Sequence, residues 1–325
     1  MFRQIISIFV VLLLIFSLVP LAACSPSAAP EAERSEIDVR VATLRGPTGI
    51  GMVQMMNAPH GYQFELLGAP EEVVAMIISG QVDIAAVPSN LAANLYNITH
   101  GDVRMIAIPT FGTLFMLENG ETIKNWDDLR GRTIYATGQG ANPEFILLHL
   151  LESNGLKPDV DVQIQFLTEH SELATLLAEG LADIGVLPEP NVTAARLQNA
   201  DLRIAFDFTA EWAKVAEGSL AMTAVVARSD FIEAHPEALG NFLLDLGASI
   251  EYVQSDIPAA AELCEQFGVI PKAALAARAI PNINLTMITG KDMQPVIEPY
   301  LRVLYTANPQ AVGGSLPDEA FYYIP

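Results

Sequence analysis

Hydrophobic positions recur in two stretches that share one pattern. In "APEEVVAMIIS", Val73, Met76 and Ile77 fall on one face of a helix, and Gly80 follows. The run "VDIAAV" then reads as a short strand buried on both faces and closed by Pro88. One hundred residues later, Leu173, Leu176 and Leu177 mark the matching helical face in "SELATLLAE". Gly180 and the strand "ADIGVL" follow, closed by Pro188. Both glycines suit a left-handed helix C-terminus. The pairs Glu72/Glu172, Gly80/Gly180, Asp83/Asp183, Ile84/Ile184 and Pro88/Pro188 are identical. An Asp after such a turn can simply accept loop N–H bonds.

The flanks repeat as well. "DVRVATLRGPTGIGMVQMM" and "GRTIYATGQGANPEFILLHLL" each read as a strand, a Gly-rich loop and the start of a helix. The pattern predicts two α/β lobes of β-loop-α…α-β form. It does not fit a solenoid, whose repeats recur every roughly 20–50 residues.

Charge and composition narrow the partners. The chain has 325 residues, 51% of them hydrophobic, which is enough for one large core or two smaller ones. Acids outnumber bases 38 to 17, and a formal charge of −21 argues against a nucleic-acid or anionic-membrane surface, which would need basic patches.

The N-terminus changes the picture more. Arg3 precedes an apolar run from Ile5 to Val19, and "LAAC" ends at Cys24. This reads as a secretory signal over residues 1–23, although the apolar run approaches the length of a membrane span. "SPSAAPEAERSE" has the composition of a flexible tether, placed at residues 24–36. Small residues directly before Cys24 resemble the lipobox of bacterial lipoproteins. That resemblance implies cleavage before Cys24, a lipid on its thiol and an extracytoplasmic protein held at the membrane. Cys264 is then the one thiol left. Its helical spacing with Ala260 and Leu263 predicts a buried structural role.

Two α/β lobes behind a lipobox resemble the solute-binding proteins of bacterial ABC importers. The nearest branch is the nitrate/sulfonate/taurine type, whose fold is shared with thiamine-pyrimidine binding proteins. The residues that carry the likeness are 80–88, "NWDDLRGRTIYATGQG" at 125–140, 180–190 and "ARSDFIEAHPEALGNFL" at 227–243. The resemblance implies a two-lobed periplasmic-binding-protein type II fold with a ligand cleft between the lobes. It places lobe one at 37–118 and 219–325 and lobe two at 119–218, with crossings near 118–121 and 212–219. Two crossings imply closure around a solute, delivered as a monomer to an ABC permease and its ATPase.

Physical reasoning supplies the candidate ligand residues. In open α/β sheets, ligands sit beyond the carboxyl ends of the strands, where helix N-termini present unpaired N–H groups. Arg45, Thr48 and Gly49 occupy such a loop in the first lobe, and Gly138, Gln139, Gly140 and Asn142 occupy one in the second. Glycines permit close backbone approach. Thr48 and Asn142 can cap helices or donate to a ligand, and Arg45 can pair with an anion or brace its loop. Ser89 and Asn90 form an uncharged tip that equally suits an N-cap. Glu189 holds a carboxylate near the cleft between Pro188 and Pro190, whereas Glu144 suits the dipole of its helix. A carboxylate lining the pocket would favour a zwitterion or cation over a simple anion. Phe111 is a candidate apolar wall, and Trp212 either packs at the return crossing or closes over the ligand.

Enzyme chemistry finds little footing. His60, His100, His149, His170 and His235 are scattered without metal-ligand spacing, and there is no Gly-x-Ser-x-Gly elbow, phosphate loop or dinucleotide fingerprint. No cofactor or metal is expected. Two alternatives stand beside transport: an enzyme on the same fold, of pyrimidine-synthase or dehydratase type, and a sensor that reports occupancy to a membrane receptor.

Overall fold

The computed structural model describes residues 37–58 and 61–325. The signal segment, Cys24, the tether and His60 lie outside the described residues. The chain opens with β1 (Val39–Leu44), α1 (Pro47–Ile50), α2 (Val53–Met56), β2 (Tyr62–Leu67) and α3 (Pro70–Ile78). It continues with β3 (Ile84–Pro88), α4 (Ser89–Ile98) and β4 (Val103–Thr110). A second series follows: β5 (Leu114–Asn119), β6 (Thr133–Thr137), α5 (Asn142–Ser153), β7 (Gln163–Leu167) and α6 (His170–Ala178). That series ends with β8 (Ile184–Pro188), α7 (Asn191–Gln198), β9 (Leu202–Asp207) and α8 (Phe208–Val215). The return segment holds β10 (Thr223–Arg228), α9 (Ser229–Ala234), α10 (Pro236–Ser255) and α11 (Ile257–Gln266). After it come α12 (Ala273–Ala279), β11 (Leu285–Ile288) and α13 (Met293–Ala307).

The strands form two sheets, β11-β4-β10-β3-β1-β2 and β7-β6-β8-β5-β9. In the first, β1 pairs parallel with β2 and β3, and β10 runs antiparallel to β3 and β4. In the second, β6 pairs parallel with β7 and β8, and β5 runs antiparallel to β8 and β9. The sheets therefore match strand for strand over five positions. This is the physical content of the sequence repeat, and it makes two α/β lobes.

Burial follows strand position. The central strands β3 and β8 are covered on both faces, while the edge strands β2 and β7 alternate between half-buried and exposed. Gly80 and Gly180 both adopt positive φ, 74° and 71°, which lets the chain turn from helix into strand. The repeated Asp serves different ends. Asp83 is buried and accepts from the Arg40 backbone N–H and guanidinium, tying β1 to the start of β3. Asp183 is exposed. Both lie at the strand ends remote from the Gly-rich loops, so the repeat itself does not form a ligand site.

The first crossing differs from expectation. Glu118 does not mark it, because β5 belongs entirely to the second sheet, where Leu114 pairs with Pro188 and Glu118 with Ile184. The chain changes sheets at 111–113 instead. There the Phe111 N–H donates to the Asn284 carbonyl at 2.9 Å, and Asn284 Nδ2 donates to the Gly112 carbonyl at 2.6 Å. A Cβ at Gly112 would lie 2.3 Å from Thr209 Oγ1 and 2.7 Å from Leu220 Cδ2, so no other residue fits without displacement. The return passage lies between Val215 and Thr223. Trp212 beside it is fully buried, with ring centroids 4.9 Å from His149 and 5.5 Å from Tyr300. It is packing and not a lid.

One apolar cluster joins both sheets, with Leu44, Val87, Leu114, Met116 and Trp212 among its members, and each sheet has a further cluster on its other face. Cys264 lies in the far cluster of the first lobe, and burial pushes its thiol up to about 12. In a Cys24→Ser form, a thiol reagent should therefore modify Cys264 only on unfolding. Modification of the folded protein at the rate of a free thiol would contradict that burial. Among the described residues, no helix is long and apolar enough to cross a membrane.

Candidate functional site

The carboxyl ends of β6, β7 and β8 bring three segments of the second lobe together. After Thr137 the chain turns through Gly138 and Gly140, both at positive φ (76° and 77°), and enters α5 at Asn142. A Cβ at Gly138 would meet Pro143 Cγ at 2.8 Å, so this turn needs glycine for space as well as for torsion. Gln139 is exposed. The Gly140 N–H donates to Glu144 Oε2 at 2.5 Å, so this side chain caps the loop internally.

Asn142 is the unusual residue. It is only 4% exposed, yet neither Nδ2 nor Oδ1 has a hydrogen-bond partner. Leaving an amide buried and unpaired costs about 1–3 kcal/mol, so a native protein retains one where something else satisfies it.

Next to this turn, Thr137 Oγ1 and His170 Nδ1 lie 2.5 Å apart. His170 opens α6 at the end of β7. Burial holds its pKa below the ordinary histidine value, against the field of Glu169, so the ring is neutral at neutral pH. Nε2 has no hydrogen-bond partner among the described residues and is not among the buried polar atoms. The sequence reading passed over His170 because it weighed histidines by spacing to one another. The usable signal was its place at a strand end opening a helix.

Glu189 follows β8 through a cis peptide bond to Pro190 and is 1% exposed. Its carboxylate accepts from Thr193 N at 3.1 Å, Thr193 Oγ1 at 2.9 Å and Asn282 Nδ2 at 2.8 Å. Burial raises its pKa, and these hydrogen bonds, with Arg196, oppose the rise. The sequence places this carboxylate near the cleft as a candidate ligand contact; in the structure its oxygens are taken by Thr193 and Asn282. Asn282, in the turn after α12, was not foreseen at all.

In the first lobe, Arg45 is exposed, and its guanidinium has no partner among the described residues. Thr48 is largely buried in the four-residue α1. Gly49 is needed for packing, because a Cβ there would lie 2.6 Å from the Leu44 carbonyl oxygen. Gly46 faces the other lobe: its Cβ would come within 3.9 Å of Pro190 Cδ. Ser89 and Asn90 are engaged elsewhere. Ser89 Oγ donates to the Ala221 carbonyl at 2.6 Å and Asn90 Nδ2 to the Ala311 carbonyl at 3.3 Å. They fasten the return segment and the C-terminal region instead of forming a donor tip. Phe111 is half-buried against the shared core.

The arrangement offers an anion a helix N-terminus, an amide with both polar atoms unpartnered and an imidazole nitrogen. A cavity of about 410 Å³ at the opposite end of the first sheet is lined by Arg40, Asp83, Arg228 and Asp230, which are ion-paired with one another.

Comparison with known proteins follows the same lines. The family described as the periplasmic substrate-binding protein of phosphonate ABC transporters matches residues 51–272. Comparison with curated proteins finds no match. An ABC transporter protein from Parabacteroides distasonis is 24% identical, with 88% of this chain and 98% of that one covered and a TM-score of 0.74. The aliphatic sulphonate binding protein SsuA from Escherichia coli is 16% identical, with 90% and 93% covered and a TM-score of 0.72. The alkanesulfonate-binding SsuA from Xanthomonas axonopodis pv. citri, bound to MOPS, is 14% identical, with 86% and 94% covered and a TM-score of 0.61. At these identities the solved structures establish the fold.

Proposed function

Because the chain belongs to the periplasmic substrate-binding proteins of phosphonate ABC transporters, we propose that it captures a small phosphonate or sulfonate between its two lobes for import. As a member of that family it is the binding component of a transporter and not an enzyme. The observation that carries the ligand class is Asn142, whose buried amide has no partner among the described residues. The N-terminus of α5 favours an anion at the same place, and His170 Nε2 adds a third polar contact. The oxyanion rests on the second lobe at Gly138, Asn142 and His170, because the Gly140 N–H is taken by Glu144. Arg45 and Thr48 approach from the first lobe as the lobes close about the passages at 111–113 and 216–222. Two solved relatives are described as sulfonate-binding, one of them with MOPS bound, which agrees with this class.

Calorimetric titration with methylphosphonate, methanesulfonate, taurine, nitrate and a free pyrimidine tests the reading. Binding by the phosphonate or a sulfonate is expected. Binding of the pyrimidine alone would overturn it.

The lipid anchor completes the proposal. Cys24 carries the acyl chains, and the monomeric binding lobes hang from the tether outside the cytoplasmic membrane. Cys24→Ser should release the protein from the membrane or leave its precursor uncleaved. Membrane retention of a mature-length Cys24→Ser protein would remove the anchor.

A further inference from the structure

The contact between Glu189 and Asn282 joins segments that belong to different sheets. Glu189 stands between β8 and α7 of the second lobe, whereas Asn282 stands between α12 and β11 of the return segment. The carboxylate divides its bonds unevenly. Both donors from Thr193 lie on its own lobe, at the start of α7, and hold the side chain in place. Only the Asn282 bond crosses. Gly46 approaches Pro190 beside it, so the first lobe's loop also abuts this turn.

We infer that Glu189 and Asn282 form a latch that holds the lobes closed in the absence of ligand. Separating the lobes would break one hydrogen bond to the Glu189 carboxyl and leave the Thr193 bonds intact. The carboxylate thus stays aimed, and reclosing requires only Asn282 to return. A bond made in the closed form alone shifts the equilibrium by its full free energy. The latch also accounts for a glutamate at a position expected to contact a ligand: its oxygens are taken by Thr193 and by Asn282 across the lobes.

This inference rests on the reading of the two lobes as a closing cleft, but its test needs no solute and so fails separately from the choice of ligand. Dyes are placed at Leu181→Cys and Leu244→Cys, exposed positions on the second and first lobes, in a Cys24→Ser background. Single-molecule energy transfer then reads the ratio of open to closed molecules. Asn282→Ala should raise that ratio roughly tenfold, the effect of one buried hydrogen bond. Asn282→Asp should raise it further, because two carboxylates would then meet in the closed form. The variants leave the Thr193 cap untouched, and a melting curve verifies folding. A wild type that is mostly open, or a ratio unchanged in both variants, would overturn the latch.

Discussion

Asn142→Leu should lower affinity for the bound phosphonate or sulfonate by about ten- to hundredfold while making the ligand-free protein more stable by about 1 kcal/mol. The two effects share one cause. In the ligand-free protein the amide is buried with neither polar atom paired, so it carries a desolvation cost that no hydrogen bond among the described residues offsets. Leucine has nearly the same shape and removes that cost. With an oxyanion present, the amide donates to an ionised oxygen, an interaction of about 1.5–3 kcal/mol that leucine cannot make. The helix dipole of α5 and His170 Nε2 remain, which is why binding falls without vanishing. Urea unfolding and calorimetry on the same preparations separate the terms. Asn142→Ala repeats the test without any overpacking by leucine. Affinity unchanged in both variants would move the ligand away from α5. A loss of stability in both would mean that the amide supports the fold. An opposed pair of changes is the signature of a residue kept for binding at the expense of stability.

The same residue shows where the sequence was informative. Its place after a Gly-rich turn, at a strand end and a helix start, was readable because glycine spacing and helix polarity are local properties. What the sequence did not reveal was that no described residue bonds to its side chain. Ser89 and Asn90 looked equivalent to Asn142 by the same local argument, yet both are consumed by the Ala221 and Ala311 carbonyls, which lie far along the chain. Glu189 is a similar case, since its partner Asn282 is remote in sequence and has no local pattern to announce it. His170 was hidden for the opposite reason. Its significance comes from Thr137 on the neighbouring strand, a juxtaposition created by the parallel pairing of β6 and β7. The five-strand correspondence of the two sheets was legible in outline, because each lobe repeats its own local pattern. The ownership of β5 was not. An apolar run fits either sheet, and long-range pairing with β8 and β9 decided it.

That reassignment gives the largest expected stability effect. Glu118, at the expected boundary between lobes, is instead the buried staple of the second lobe, and Glu118→Ala should destabilise the protein by about 3–5 kcal/mol. The carboxylate is 1% exposed. Oε1 accepts from Thr122 N at 2.7 Å, Thr122 Oγ1 at 2.6 Å and Ile123 N at 3.1 Å, and Oε2 pairs with Arg203 of β9. Arg203 Nη2 also donates to the Ile123 carbonyl at 2.6 Å, so one charge pair closes the whole turn from β5. Burial alone would raise the Glu118 pKa, but the bonds from Thr122, Arg203 and Ile123 outweigh it and hold it below the ordinary carboxylate value. For a group depressed in this way, the stabilisation is fully present above the unfolded carboxylate pKa and is lost as pH falls through the lower folded value. Wild-type stability should therefore decline over that acidic interval, and Glu118→Gln should flatten this part of the decline. Glu118→Ala with Arg203→Met should recover part of the loss, because the single variant leaves a guanidinium without its partner. Urea unfolding across pH measures all four proteins. A loss below about 1 kcal/mol in Glu118→Ala would make the turn an ordinary surface loop and not a buried staple.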